Sequence, residues 1–142
     1  MLTGRTQNTR VGNSLSESVL FGSGVVQGSW LGPLLFLFYI YNVTFAISDK
    51  CKCKLYADDL KLYSEITLVD DCDALQVITD KVKIWSDEWQ LSMSVRKCAA
   101  ICIGHRVNGL ADHNYTMGTN SITLRDHVVD IGVTIDSTLR CI

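Results

Sequence analysis

Two adjacent acids, Asp58 and Asp59, are the residues in this 142-residue chain whose types and spacing best suit chemistry. Lys52-Cys53-Lys54-Leu55 precedes the segment Tyr56-Ala57-Asp58-Asp59, and Leu60-Lys61-Leu62-Tyr63 follows it, so polar and apolar residues alternate on both sides of the acids. That alternation predicts two half-buried strands of one hairpin. Along a regular strand neighbouring side chains face opposite ways, so consecutive carboxylates share a site only where a turn redirects them. At a hairpin apex both could reach one hard cation. Paired carboxylates with room for water and phosphate oxygens suit Mg²⁺, which keeps several waters and takes few protein ligands. An Asp-Asp turn is also a common solvated feature, and the pair alone does not decide between the two readings.

The surrounding elements must position the pair. Arg5 to Phe21 reads as two short strands joined near Gly12-Asn13, a strong turn dipeptide. Gly22, Gly24 and Gly28 mark a loop whose backbone could approach a ligand closely. Pro33 suits the first turn of a helix, and the apolar run Leu34 to Ile40 predicts that this helix is buried, with Leu34, Leu35, Phe36, Phe38 and Ile40 in the core. After the hairpin, Asp70, Asp71 and Asp73 open a second helix at the end where acids favour the dipole and supply a cap. Leu75, Ile78, Val82, Trp85 and Trp89 follow at helical spacing as its core stripe, with base stacking by the tryptophans as the alternative. Cys98 to Ile103 reads as a buried strand, Tyr115 to Leu124 as a hairpin and Val128 to Ile135 as a last strand. This order predicts an α+β fold rather than a doubly wound one.

Composition excludes several classes. With 47% hydrophobic residues the chain can build a core, and it is one domain or part of one. A net charge of −2 has the wrong sign for a free-standing nucleic-acid binder. Lys50, Lys52, Lys54 and Lys61 read as the solvated face of the hairpin rather than as a phosphate track. The six cysteines (51, 53, 72, 98, 102, 141) form no CxxC pair, and the histidines (105, 113, 127) lack ligand spacing. No secretory signal opens the sequence, so a reduced, intracellular compartment is the simplest expectation. The uncharged stretch Trp30 to Ile47 is near the minimum for a membrane span, but Gly32-Pro33, Asn42 and Thr44 interrupt it, and no membrane role is expected.

SGVVQGSWLGPLLF (Ser23 to Phe36), LYADDLKLY (Leu55 to Tyr63), the tryptophan-rich segment ending in Lys97-Cys98, and VVDIGVTID (Val128 to Asp136) occur in that order. Together they resemble the reverse transcriptase domain of non-LTR retrotransposons, over about Arg5 to Leu139. The resemblance implies an RNA-directed DNA polymerase and a partial polymerase palm, an antiparallel sheet with helices packed on one face. It implies Mg²⁺, with Mn²⁺ as a substitute, an RNA template, a DNA primer and deoxynucleoside triphosphates. By the same resemblance Asp58 and Asp59 are metal-binding and catalytic, and Lys97 matches a lysine that protonates the departing pyrophosphate. Tyr56 and Ala57 lie near the primer end, and Gln27 and Gly28 contact the nucleotide and template strand.

The sequence also departs from the family pattern. A further metal-binding aspartate belongs upstream of the family's RTQ-like segment, and here Met1 stands only a few residues before Arg5-Thr6-Gln7. Val26 replaces the usual proline, and Ile40-Tyr41-Asn42 replaces the usual Ile-Asn-Asp. The expectation is therefore that residues 1–142 are a partial palm lacking the upstream aspartate strand and the thumb, needing further polymerase segments and inactive alone. The alternative is a non-catalytic retrotransposon remnant with a binding or incidental role.

Overall fold

Turn chemistry shapes the N-terminal part of the chain in the computed structural model, which describes residues 4–22, 28, 30–47, 50–104 and 113–139. Strands β1 (Arg5–Gln7), β2 (Arg10–Val11), β3 (Ser14–Leu15) and β4 (Val19–Phe21) form one nested hairpin, with β2 paired to β3 and β1 to β4. Gly12 takes the left-handed conformation (φ 59°) that starts the turn, as glycine does without a Cβ penalty. Each of the two expected strands is split in the middle. There the Ser16 hydroxyl accepts from the Thr9 amide at 2.8 Å, and the Ser18 hydroxyl donates to Asn8 at 2.9 Å. Side-chain bonds of this kind compete with the regular ladder.

Helix α1 (Leu31–Tyr41) carries Pro33 in its first turn, where a missing N–H leaves no bond unmade. Its burial differs from expectation. Ile40 is buried and Phe36 half-buried, but Leu34, Leu35 and Phe38 are 49%, 47% and 67% exposed. A helix apolar on every side needs partners all round it. The described residues of the unit holding residues 1–40 offer it two narrow ladders, which cannot surround it.

The second unit, residues 41–142, is built on a long helix. A 3-10 helix (Asn42–Ala46) leads to strands β5 (Lys52–Tyr56) and β6 (Asp59–Tyr63), and then to α2 (Val69–Glu88). Asp71 organises the start of α2. Its carboxylate accepts from the Leu68 amide at 2.8 Å and from the Thr67 amide and hydroxyl, both at 2.9 Å. Hydrogen bonds from Thr67 and Leu68 hold its pKa below the usual carboxylate value. At the other end Gln90 sits at φ 55°, and the Leu91 amide donates to Ser86 while the Gln90 amide donates to Asp87. These two bonds form a Schellman stop with glutamine where glycine is usual.

The predicted stripe of α2 is its packed face: Ile78 and Val82 are buried, and Leu75, Trp85 and Trp89 are half-buried. Trp85 and Trp89 stack with centroids 5.8 Å apart. Val43 of the 3-10 helix and Met117 are buried with them. A second 3-10 turn (Val95–Lys97) precedes β7 (Ala99–Ala100), which is shorter than the strand expected over Cys98 to Ile103. Strands β8 (Thr116–Met117) and β9 (Asn120–Ser121) make a hairpin around Gly118 that is shorter than the one expected over Tyr115 to Leu124. The Gln76 side chain ties it to α2, donating to the Thr116 carbonyl and accepting from the Thr116 amide.

Strand β10 (Thr123–Leu124) pairs parallel with β7. The expected last strand is instead a further hairpin, β11 (His127–Asp130) with β12 (Val133–Asp136). Ile131 (φ 48°) and Gly132 (φ 80°) turn the chain, and two consecutive left-handed residues are the signature of a tight hairpin turn. The described residues thus form an α+β chain of two-stranded ladders, five antiparallel and one parallel. No helix among them is long and apolar enough to cross a membrane.

Candidate active site

The register of β5 with β6 sets the site: Lys52 faces Tyr63, Cys53 faces Leu62, Lys54 faces Lys61, Leu55 faces Leu60 and Tyr56 faces Asp59. Only Ala57 and Asp58 remain for the turn. Ala57 is left-handed (φ 51°) and Asp58 is not, the pattern of a turn that normally places glycine first. An L-residue pays roughly 1–2 kcal/mol for that conformation. The short turn forces Asp58 and Asp59 to project from consecutive positions at the apex.

Strand parity assigns the faces. Leu55, Leu60, Leu62 and Cys53 share the half-buried face. Lys52, Lys54 and Tyr56 share the outer face with Asp59, Lys61 and Tyr63. At the base of the hairpin, the buried Cys51 thiol donates to the Tyr63 carbonyl at 3.6 Å, and the Ser64 hydroxyl donates to the Lys50 carbonyl at 3.0 Å. Burial raises the Cys51 pKa, which keeps this thiol protonated as a structural donor.

Both Asp58 and Asp59 are exposed, and neither carboxylate has an ion-pair or hydrogen-bond partner among the described residues. Their oxygens are therefore open to a cation. Two carboxylates with water and phosphate oxygens completing the shell fit Mg²⁺ chemistry. They do not make an all-protein cage, since no group of three or more His, Cys, Asp or Glu side chains suited to a metal occurs among the described residues.

Tyr56, Ala57, Asp58 and Asp59 are thus brought together on one turn. Lys97 lies on a separate segment, exposed at the end of the second 3-10 turn. Gly28 is exposed in the first unit with φ 82°, and Gln27 lies outside the described residues. Sequence reasoning missed Asp130. Its two oxygens lie 2.5 and 2.7 Å from the Lys61 ammonium, joining β11 to β6. A sequence separation of 69 leaves no local signal for that pair.

Two exposed acids thus stand at the apex of a hairpin with a two-residue turn. The profile of the reverse transcriptase (RNA-dependent DNA polymerase) family matches residues 2–129, and the chain belongs to that family. It is 30% identical over 131 residues to the RNA-directed DNA polymerase from mobile element jockey of Drosophila funebris, covering 77% of this chain and 14% of that protein. The jockey polymerase of Drosophila melanogaster is 24% identical over 95% of the chain and 15% of its own length. The probable RNA-directed DNA polymerase from transposon X-element of the same species is 27% identical, covering 71% and 12%. The chain therefore spans about one-seventh of the length of these relatives. No solved structure matches it.

Proposed function

We propose that residues 1–142 are the metal-bearing palm segment of an RNA-directed DNA polymerase from a non-LTR retrotransposon, acting on an RNA template, a DNA primer and deoxynucleoside triphosphates. The observation that carries this reading is the exposed Asp58–Asp59 apex, without ion-pair or hydrogen-bond partners among the described residues, within a stretch that matches the family. In this reading Asp58 and Asp59 hold Mg²⁺, or Mn²⁺ in its place. Bound there, the cation supplies charge stabilisation for nucleotidyl transfer. Ala57 keeps the apex narrow, so the primer terminus can approach the acids. Tyr56, 60% exposed and opposite Asp59, borders the same position. Lys97 carries the proton for the leaving pyrophosphate, which requires that it come within hydrogen-bond reach in the assembled polymerase. Gln27 and Gly28 meet the nucleotide and template strand, and helices cover one face of an assembled palm sheet.

Two carboxylates leave most of the coordination to water and substrate, so the 142-residue chain alone should not measurably extend a primer. The test is single-nucleotide primer extension by the longest open reading frame that contains these residues, with Asp58→Asn and Asp59→Asn. Activity reduced by orders of magnitude in both variants supports the assignment. Full activity in either one removes that residue from the reaction.

A further inference from the structure

The ladder places Lys61 directly opposite Lys54, and both share the outer face with Asp59. Like charges directly opposite in a ladder repel. Two residues along β6, Lys61 and Asp59 have Cα atoms about 7 Å apart on one face, a gap that a lysine side chain spans. Lys61 therefore has a strong local reason to fold onto Asp59, away from Lys54 and toward the nearest carboxylate. It does not. Its ammonium lies 2.5 and 2.7 Å from the two Asp130 oxygens, while Asp59 has no partner among the described residues. Both members of the pair are partly shielded, with side chains 36% and 28% exposed.

We propose that Asp130 is a positioning residue: by holding Lys61 from the neighbouring hairpin, it keeps the Asp59 carboxylate free for the catalytic cation. The inference rests on the reading that Asp58 and Asp59 hold that cation. Other charged groups on the face do not take over the task. Lys54 lies diagonal to Asp59, and Lys52 stands one pair further from the apex. Neither has an ion-pair partner among the described residues. Asp130 thus serves the site through a contact 69 residues away in sequence, without touching the reacting atoms.

The test is a Mn²⁺ titration of the 142-residue chain, read as free Mn²⁺ by electron paramagnetic resonance, with circular dichroism as a check on folding. The proteins are wild type, Asp58→Asn/Asp59→Asn, Asp130→Asn, Lys61→Gln and Asp130→Asn/Lys61→Gln. Freeing Lys61 to compete for an exposed carboxylate should weaken Mn²⁺ binding in Asp130→Asn by about two- to fivefold, the range of exposed ion pairs. Lys61→Gln should restore that loss in the Asp130→Asn background and change wild-type affinity by less than about 1.5-fold. This non-additivity separates sequestration from a simple change in field, which would add between the two sites. Additive effects, or an Asp130→Asn affinity equal to wild type, overturn the proposal. So does an Asp130→Asn loss that Lys61→Gln fails to restore. If Asp130→Asn does not fold, a Lys61→Gln affinity that departs from wild type by more than about 1.5-fold in either direction overturns it, and an unchanged one supports it. Binding that persists in Asp58→Asn/Asp59→Asn instead refutes the underlying cation site, a distinct failure.

Discussion

Replacing Ala57 by glycine should stabilise this protein, although Ala→Gly changes usually do the opposite. The sign follows from one angle, since Ala57 sits at φ 51° at the first turn position between Tyr56 and Asp59. An L-residue there carries roughly 1–2 kcal/mol of steric cost that glycine lacks. Glycine loses about 0.5–1 kcal/mol through the greater freedom of its unfolded chain. The difference is a net gain of about 0.5–1 kcal/mol, or about 1–4 °C in Tm for a chain of this size. Ala57→Val is the contrasting variant, because a β-branched residue tolerates a left-handed backbone least, and it should destabilise. Urea and thermal unfolding measure both changes, and amide exchange at Tyr56 and Asp59, the pair that closes the turn, shows whether the effect resides in the hairpin. A loss of about 0.5–1 kcal/mol in Ala57→Gly with a neutral Ala57→Val, as on an ordinary exposed strand, would refute the left-handed turn.

Other outcomes follow from burial and charge. Ile78→Ala in α2, 3% exposed at wild type, should cost about 2–5 kcal/mol by denaturant unfolding. Trp30→Ala should change stability by no more than about 0.5 kcal/mol, because the side chain is 99% exposed. Asp71 has a depressed folded-state pKa, so the stability it lends α2 is present above its unfolded pKa and is lost as pH falls through the folded one. Far-UV circular dichroism during acid titration should show less helix loss below the ordinary carboxylate range in Asp71→Asn than in wild type, because the variant has already lost that contribution.

The parts legible in the sequence were those with a local period. Alternation at Lys52 to Leu55 and Leu60 to Leu62 marks the hairpin, and the Leu75 to Trp89 spacing marks the buried side of α2. Each rests on neighbours a few residues apart, where pattern and structure coincide. The exposure of Leu34, Leu35 and Phe38 was not legible, because an apolar run states what a helix needs and not what surrounds it. The turn at Ile131-Gly132 was hidden inside an apolar run, and a β-branched residue at φ 48° is the last one that propensity would place there. Asp58 and Asp59 could be read as a pair. Their release from Lys61 could not, because it depends on a contact between two separate hairpins.

On the proposed function, a divalent cation binds this chain at the Asp58–Asp59 apex. Paramagnetic line broadening of backbone amides during a substoichiometric Mn²⁺ titration tests it most directly. Broadening should centre on Tyr56 to Leu60 and disappear in Asp58→Asn/Asp59→Asn. Broadening centred instead on Asp70, Asp71 and Asp73 at the start of α2, or unchanged in the double variant, would contradict it.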